Sequence, residues 1–316
     1  MLVFADYNLQ YGKSQPASAT KRIASSHSKA RGAAQWASYP LIMASAMALL
    51  SVLRQNGTSL AWSPYVVVGF CGFLVILCER LLPYRRDWSP TARDLADDAF
   101  YAFGVQTVVP LALSWLTVWF LQRGVAQEHL SWKIWPAMWP IWIQLLAKIA
   151  IGDFFRYWLH RVAHNWNPIW RLHALHHQPE KLYSTNVFRF HPLEKALQFV
   201  CDSLPFILFG IGPDVLAYYF VFYAISGLFQ HANADVRLGA LNYFVSGPEV
   251  HRWHHSRKLT EANANYAHSF VLWDILFGTY YRPRGAEVTE LGLWDRGYPQ
   301  GKFAQLTAPF RPALWA

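Results

Sequence analysis

The sequence predicts an all-α integral-membrane protein, a bundle of about four transmembrane helices and one helical hairpin with a cytoplasmic helical cap. The first reason is composition, since 53% of the 316 residues are hydrophobic and only 15% are charged, which is too apolar for an ordinary soluble enzyme. The second is the content of 16 Trp, 16 Tyr and 21 Phe, side chains that concentrate where a membrane meets water. The third is a series of apolar stretches that approach the roughly 20 residues needed to cross the hydrocarbon layer.

The chain begins with a polar and basic segment, residues 1–32, for which we expect a mobile conformation. It lacks the short apolar core that follows the basic start of a cleaved signal peptide, so we expect it to stay in the mature protein. Four apolar windows follow as candidate transmembrane helices, 33–53, 61–78, 99–121 and 134–152. The membrane-embedded domain is predicted to cover residues 33–282, and residues 283–316 are predicted to form a cytoplasmic C-terminal tail.

A further apolar stretch, residues 199–230, is too long for one crossing. It is interrupted by Gly210, Gly212 and Pro213. Because Gly and Pro break a helix where the chain turns, we predict a helical hairpin that enters the membrane and returns. Whether its two arms span the membrane is left open by the sequence. Its aromatic side chains either line a substrate path or pack against lipid: Tyr218, Tyr219, Phe220, Phe222 and Tyr223.

The formal net charge of +9 indicates membrane topology rather than nucleic-acid binding, because the Lys and Arg residues are scattered at the ends of apolar segments. Basic residues in loops mark the cytoplasmic side of a membrane protein. They follow the second and fourth windows, at Arg80, Arg85, Arg86 and Arg93 and at Arg156, Arg161 and Arg171. We therefore predict a multi-pass protein whose polar blocks, 154–198 and 231–316, lie together on the cytoplasmic face.

These polar blocks contain most of the thirteen histidines, and eight of them form three tight groups. The groups are His160 and His164; His173, His176 and His177; and His251, His254 and His255. Spacings of three and four residues place side chains on one face of a helix, so we expect each group to gather its imidazoles there. Pro168 and Pro248 stand where a helix can start, which favours short helices for the two trios.

Eight clustered imidazoles are more than one metal ion needs, so the pattern predicts two metal ions. His231, at the exit of the hairpin, is the candidate ninth ligand. The chain has no HExxH motif and neither trio contains an acidic residue, which disfavours zinc-dependent hydrolysis. Neutral imidazole suits iron, zinc, copper and nickel alike, so spacing alone leaves the metal undecided.

The histidine groups, in this order and on this membrane frame, resemble the fatty acid hydroxylase and sterol desaturase superfamily. Three further segments carry the likeness: DFFRYWLHR at 153–161, RFHPLE at 189–194 and WDILFGTYY at 273–281. The resemblance covers roughly residues 62–283. One departure is the sequence Asn-Tyr-Ala-His at 265–268, where many relatives have Asn-Tyr-Gly.

The resemblance implies a diiron centre that uses O₂ and two electrons to hydroxylate or desaturate a lipid such as a fatty acyl chain or a sterol. The implied electron donor is a separate protein, either cytochrome b5-like or a ferredoxin with its reductase, because no HPGG haem-binding segment is present. Zinc could replace iron in purified protein. The implied ligands are His160, His164, His173, His176, His177, His231, His251, His254 and His255. The alternative function is a zinc-dependent membrane hydrolase or metal carrier that uses the same histidines.

Four other residues are candidates for the active site. Asp153 lies seven residues before His160 and could accept an imidazole N–H, or simply end a membrane helix. Asp274 could do the same for another ligand, or cap a helix. His191 is biased towards an extended backbone by the proline after it, and we place it beside the ligands. His268 is an extra ligand, a hydrogen-bond donor to a ligand, or a surface residue.

Overall fold

The structure of the protein, a computed structural model, describes residues 29–122, 134–295 and 297–315. Helices are the regular elements of these residues, which contain no β-strand and only three isolated β-bridges. The all-α prediction is therefore confirmed. Most of the predicted N-terminal segment, up to residue 28, lies outside the described residues.

Three long helical stretches near the start of the chain are apolar enough to cross a membrane. They are α1 (Lys29–Gln55), α2 (Ser63–Leu81) and the continuous stretch Ala92–Phe120. The third consists of α3 (Ala92–Phe100), a π-helical segment (Tyr101–Thr107) and α4 (Val108–Gln122). Thr91 and Asp94 form a capping box that starts α3. The three windows predicted at 33–53, 61–78 and 99–121 are thus confirmed as apolar helices.

The fourth predicted window, 134–152, has the wrong bounds. Helix α5 begins only at Ile141, after Pro140, and continues to Asn165. Residues 134–140 form a turn, in which the indole of Trp135 donates to Gln144 Oε1 at 2.7 Å. Among the described helices α5 is not one of those apolar enough to cross by length and composition, since it buries Gln144, Lys148, Asp153 and Arg156. Whether it crosses a membrane stays a prediction.

The predicted hairpin is built from several helices. Helix α6 (Asn167–His177) precedes α7 (Pro192–Asp202) and α8 (Leu204–Phe209), and α9 (Pro213–His231) forms the returning arm. Gly210 ends α8 with a positive φ of 82°, a conformation that glycine adopts without strain. The predicted helix break at Gly210–Pro213 is therefore confirmed. The buried Val221, Ile225 and Phe229 of α9 belong to the main hydrophobic core that α9 shares with α1, α2 and α5.

Short helices complete the chain: α10 (Pro248–His254), α11 (Leu259–Ala262), α12 (Leu272–Leu276) and α13 (Lys302–Thr307). The predicted C-terminal tail packs back on the fold, because Tyr298 and Ala308 form a buried cluster with Tyr101 and Leu175. The boundary at residue 283 stays a prediction.

Glu79, near the end of α2, links two segments that approach the histidines. Its Oε1 accepts hydrogen bonds from the backbone N–H groups of Ser184, at 2.6 Å, and Asn233, at 2.7 Å. Its Oε2 accepts from the Ser184 hydroxyl at 2.7 Å. The carboxylate therefore fixes the start of the 3₁₀ segment Ser184–Phe188 and the exit of α9 against one another.

Candidate metal centre

Nine histidines converge into two neighbouring groups, and they are the nine that the sequence predicts. Within each group, one ring nitrogen per residue lies within 4.8 Å of all the others. The five-histidine group consists of His160, His164, His173, His177 and His254. The four-histidine group consists of His176, His231, His251 and His255. The groups adjoin one another, since the ring centroids of His177 and His255 are 4.4 Å apart.

Helix periodicity explains how α6 and α10 serve both groups. Residues four apart on a helix share a face, whereas consecutive residues diverge by about 100°. His173 and His177 of α6 therefore enter the five-histidine group, and His176 turns to the four-histidine group. The prediction that each trio gathers on one face is wrong in this respect. Each trio is divided between the two groups, and α10 repeats the division with His254 against His251 and His255.

The Nε2 atoms of several histidines point at one another. His160 and His173 Nε2 are 2.9 Å apart, and His173 and His177 Nε2 are 3.1 Å apart. In the other group, the Nε2 atoms of His251 and His255 are also 3.1 Å apart. Neutral imidazole carries only one N–H, so nitrogens that face one another in this way need either a shared proton or a shared cation.

Five of the histidines have an oxygen acceptor at the opposite nitrogen, Nδ1. An acceptor there holds the proton on Nδ1 and leaves the Nε2 lone pair free, which is the arrangement that fixes the tautomer of a metal-ligating imidazole. The pairs are His160 with Tyr266 O at 2.7 Å, His164 with Asn263 Oδ1 at 3.1 Å, His173 with Glu194 Oε1 at 2.7 Å, His231 with Asn186 Oδ1 at 2.7 Å and His254 with Ala264 O at 2.8 Å.

The centre fits a pair of cations that bind neutral nitrogen ligands. Burial, followed by neighbouring histidines, holds the pKa of His176, His177, His251 and His255 well below its usual range, so these rings are uncharged near neutral pH. Several buried ring nitrogens have no hydrogen-bond partner within the described residues, including His231 Nε2 and His254 Nε2. A buried polar atom without a partner is costly, and a metal ion at each group would satisfy the Nε2 atoms of His231 and His254.

The predicted contact between Asp153 and His160 is wrong. Asp153 Oδ2 instead accepts hydrogen bonds from the backbone N–H groups of Ser269, at 2.9 Å, and Phe270, at 2.6 Å. The nitrogen of His160 that the contact would have used is occupied by Tyr266 O. Asp153 therefore fixes the loop after residue 268 on α5.

Asp274 supports the metal centre through the backbone. Its carboxylate accepts hydrogen bonds from the N–H groups of Tyr266, at 2.8 Å, and Ala267, at 2.9 Å, and from the Thr279 hydroxyl, at 2.7 Å. The carbonyl of Tyr266 in turn accepts from His160. Asp274 thus contacts no ligand histidine directly, and it holds the loop that orients one.

The other two predicted histidines lie outside both groups. His191 caps α7, since its Nδ1 accepts from Leu193 N at 3.2 Å while its Nε2 donates to Leu306 O at 3.1 Å. Its extended backbone, with φ −70° and ψ 139°, confirms the conformation expected before Pro192. His268 is half-buried, and its ring stacks on Tyr223 with centroids 4.0 Å apart. The alternative that His268 is a surface residue is therefore wrong.

Three side chains that orient the histidines are not predicted by the sequence: Glu194, Asn186 and Asn263. Glu194 stands in the RFHPLE segment, three residues after His191, and its position next to a recognised motif is the one available signal. Asn186 lies in the 3₁₀ segment and Asn263 directly follows α11, and both are far along the chain from the rings that they contact. No local pattern identifies such contacts.

A cavity of ≈ 830 Å³ leads to the metal centre. Its inner end is lined by His160, His173, His176, His231 and His251. Apolar side chains of α2, the π-helical segment, α4 and α9 line its other end. Of these, Tyr65, Phe73, Phe103 and Leu111 are also exposed on the outside of the bundle, so the cavity opens sideways between α2 and the π-helical segment with α4. Tyr219, Phe220 and Tyr223 line it as well, which places part of the hairpin aromatics on the predicted path.

Apolar helices, two histidine groups and a cavity that joins them to the outside of the bundle are the features of a membrane protein with a candidate metal centre at one end of an apolar cavity. Residues 145–279 match the family model described as fatty acid hydroxylase. The chain is also 35% identical to ornithine lipid hydroxylase OlsE of Rhizobium tropici over 243 residues, which are 75% of this chain and 72% of that relative. The chain therefore belongs to the fatty acid hydroxylase family.

Two further relatives match shorter parts of the chain. Alkylglycerol monooxygenase of Xenopus tropicalis is 32% identical over 46% of this chain and 31% of its own length. Methylsterol monooxygenase 1 of Rattus norvegicus is 27% identical over 44% of this chain and 48% of its own length. No solved structure matches.

These relatives are all named as hydroxylases or monooxygenases. Together with the family membership, they confirm the prediction of a membrane protein that is an O₂-dependent oxidoreductase of lipids. The alternative of a zinc-dependent hydrolase or metal carrier is not supported.

Proposed function

We propose that the protein is a diiron monooxygenase that hydroxylates a polar membrane lipid, with one iron ion held by each histidine group. The observation that carries the proposal is the set of Nδ1 hydrogen bonds, which hold the Nε2 atoms of five imidazoles ready for metal ions at the closed end of the cavity. A pair of iron ions would supply the reductive activation of O₂. Zinc would fit the same nitrogens but could not supply redox chemistry.

The protein's own residues perform three tasks in this proposal. The histidines hold the metal ions, and the acceptors at Nδ1 prevent the rings from turning away. The loop fixed by Asp274 supplies one of these acceptors, the carbonyl of Tyr266. The cavity binds the lipid and excludes bulk water from the reacting carbon, which protects the oxidising species from side reactions.

The reaction consumes one C–H bond of the lipid, O₂, two electrons and two protons, and it yields a C–OH group and water. The electrons come from a separate donor, either a cytochrome b5-like protein or a ferredoxin with its reductase. Hydroxylation is favoured over desaturation because the relatives are named as hydroxylases or monooxygenases. Ornithine lipid is the first substrate to test, because it appears in the name of the relative that is 35% identical over 75% of this chain.

The topology belongs to the same proposal. We place the chain across the membrane several times, with residues 33–282 as the membrane-embedded domain and residues 283–316 as its cytoplasmic end. The histidine groups then face the cytoplasm beneath the helical bundle, where a soluble or peripheral electron donor has access to them.

The experiment combines metal analysis with isotope labelling. The full-length protein is purified from iron-replete cells and its metals are counted by elemental mass spectrometry. It is then supplied with ¹⁸O₂, a reducing system and membranes that contain ornithine lipid. We expect close to two iron ions per chain and a lipid product that has gained one ¹⁸O atom. A His176→Ala variant should form no labelled product.

Two results would contradict the proposal. One is a protein that contains zinc and no iron under these conditions. The other is a lipid product that has lost two hydrogen atoms without gaining oxygen, which would mean desaturation. Isolated bacterial membranes that lack ornithine lipid provide the control for substrate identity.

A further inference from the structure

Two buried cations lie in the wall of the cavity beside the metal centre. Arg156 of α5 and Lys195 of α7 both line it, and each residue is only 7% exposed. A buried cation is costly unless an anion or several acceptors compensate it. The contacts of these two residues therefore indicate what a ligand in the cavity must provide.

Arg156 has an incomplete set of partners. Its Nη2 donates to the Tyr223 hydroxyl at 3.3 Å, and its Nε lies 3.8 Å from Asp202 Oδ2. Its Nη1 is buried and has no acceptor within the part of the chain that the structure describes. Guanidinium presents a planar fork of donors that matches a carboxylate or phosphate. Arg156 therefore keeps a donor without an acceptor while it lines the cavity.

The charge of Lys195 has even fewer compensating contacts than that of Arg156. Its Nζ donates to Gln198 Oε1 at 3.4 Å, and it lies 5.2 Å from the centre of the Tyr223 ring. The adjacent carboxylate of Glu194 is engaged at one oxygen: its Oε1 accepts from His173 and from Gln198 Nε2 at 3.1 Å, and its Oε2 is buried without a partner among the described residues. Arg156 lies over the same Tyr223 ring at 5.9 Å. The two cations therefore flank one patch of the wall.

This patch adjoins the five-histidine group. Arg156 stands one helical turn before His160 on α5, which places the two side chains on the same face. Lys195 follows Glu194, whose carboxylate contacts His173. The rest of the cavity, towards Tyr65, Phe73 and Leu111, is apolar. Charge and metal centre thus share one end of the cavity, and the apolar wall occupies the other.

We propose that Arg156 and Lys195 bind the anionic group of the lipid headgroup, a carboxylate or a phosphate, and so hold headgroup carbons at the metal centre. The acyl chains then extend along the apolar part of the cavity towards its lateral opening. The anion completes the fork of Arg156 and compensates Lys195, and Asp202 keeps its ion pair with Arg156. This inference rests on the proposed function and adds to it the orientation of the lipid in the cavity, with its headgroup towards the metal centre.

The first test measures binding, and it requires neither metal nor turnover. Calorimetric titration of the full-length protein in dodecyl maltoside uses three single-chain probes: N-dodecanoylornithine, its methyl ester and dodecyl phosphate. The ester removes the negative charge and leaves the rest of the probe unchanged. We expect Arg156→Gln and Lys195→Gln each to weaken binding of an anionic probe about 10-fold or more, and binding of the ester less than about 2-fold.

The matched control variants are Arg311→Gln and Lys258→Gln, which remove exposed cations outside the cavity and should leave all affinities unchanged. Arg156→Lys keeps the charge and should retain part of the affinity. If Arg156→Gln fails to fold, Lys195→Gln carries the test, because it leaves the ion pair of Arg156 with Asp202 intact.

If the affinity for an anionic probe depends on both Arg156 and Lys195, the site is supported. The probe that shows this dependence identifies the bound group as a carboxylate or a phosphate. Equal losses for N-dodecanoylornithine and its ester would overturn it, because they would assign Arg156 and Lys195 to the fold alone. Displacement of the probes by inorganic phosphate at the same concentration would also overturn the headgroup assignment, since it would indicate a site for free anions.

The second test locates the oxygen by fragmenting the lipid product in a mass spectrometer. We expect ¹⁸O in the headgroup fragment or on the carbons next to it, whereas ¹⁸O near the end of an acyl chain would overturn the proposal. The two proposals fail separately. Charge-dependent binding without hydroxylation of any lipid would refute the proposed function alone. Hydroxylation by the wild type, together with Arg156 and Lys195 variants that bind both anionic probes normally, would refute only the anion site.

Discussion

The hydrogen bond between His173 and Glu194 places a carboxylate behind one of the imidazoles of the five-histidine group. The two side chains are buried, and Nδ1 and Oε1 are 2.7 Å apart. A carboxylate in this position fixes the ring and makes the opposite nitrogen a stronger donor to a metal ion. The other acceptors in the centre are amide or backbone oxygens, so Glu194 supplies the strongest such effect in the described residues.

Removing this carboxylate should weaken metal binding in the five-histidine group. We expect Glu194→Ala to lower the affinity for iron by about 10- to 100-fold, and Glu194→Gln to have a smaller effect because its amide oxygen still accepts from His173. Competition with a chelator of known affinity measures the change. The exposed Glu287→Gln serves as the control. Unchanged affinities in both Glu194 variants would show that the ring of His173 is held by other contacts.

At the level of residues, the sequence predicts the candidate ligand histidines better than it predicts the groups that orient their rings. Histidines at helical spacing are visible as a pattern, and His231 follows from the resemblance. Asp153 is assigned to His160 because two helical turns separate them, but the amide groups of Ser269 and Phe270 bind its carboxylate instead. The contact from His160 to Tyr266 O involves a backbone carbonyl, which every residue carries, so no sequence pattern marks it.

Helices α6 and α10 each contribute to both histidine groups, and this arrangement follows from their periodicity. The pair His176 and His177, adjacent in sequence, is separated between the groups, as is the pair His254 and His255. Each of these short helices would therefore help to set the distance between metal ions bound at the two groups. A change in the pitch of either helix would alter both groups together.

Substitution of adjacent histidines on α6 should affect different metal ions. We expect His176→Ala to weaken mainly the ion in the four-histidine group, and His177→Ala mainly the ion in the five-histidine group, because each loses one ligand. Mössbauer spectroscopy of ⁵⁷Fe-loaded protein distinguishes the two sites. His191→Asn, which keeps an acceptor at the start of α7, should retain both ions. Identical spectra for the two α6 variants would contradict the division.

At the level of elements, the sequence predicts long apolar helices more reliably than their ends. The apolar stretch that starts at residue 134 looks continuous, but Pro136 and Pro140 delay the helix until Ile141. Buried Lys148, Asp153 and Arg156 then make α5 more polar than its position suggests. Arg156, one of the basic residues used to orient the chain, lies in the cavity wall, and this cannot be read without knowing what surrounds α5.

For the whole molecule, we expect the cavity to determine which lipids reach the histidine groups. Gly69 of α2 lines the apolar part, and a Cβ atom added there would meet no atom within 4 Å. We expect Gly69→Trp to fill this space and lower hydroxylation of long-chain lipids about 10-fold or more, with metal content unchanged. Val66→Trp is the control, since Val66 is 55% exposed on the same helix and does not line the cavity. Equal activity in both variants would contradict this path.

Acid should destabilise the metal-free protein as a whole. In the unfolded chain, His176, His177, His251 and His255 bind protons below pH ~6.5, whereas in the folded chain burial holds their pKa well below that value. The unfolded state therefore binds more protons, and the free energy of unfolding falls with decreasing pH by up to ~1.4 kcal/mol per pH unit for each imidazole. Burial raises the pKa of Asp274 to about 6, and this carboxyl group acts in the opposite direction.

The measurement is the melting temperature of metal-free and iron-loaded protein between about pH 7.5 and pH 5. We expect Tm to fall with acid in the metal-free form, and to fall only at lower pH in the iron-loaded form because the ions bind neutral imidazole. A flat Tm in the metal-free form would contradict the prediction, because it would show that the folded chain binds as many protons as the unfolded chain.

The sideways opening of the cavity between α2 and the π-helical segment with α4 has a kinetic consequence. A lipid that enters there passes from the bilayer to the metal centre without first dissolving in water. The enzyme then responds to the mole fraction of substrate among its neighbouring lipids rather than to substrate per litre. Dilution of the substrate with an inert phospholipid, at constant bulk substrate concentration, should therefore slow the reaction in proportion.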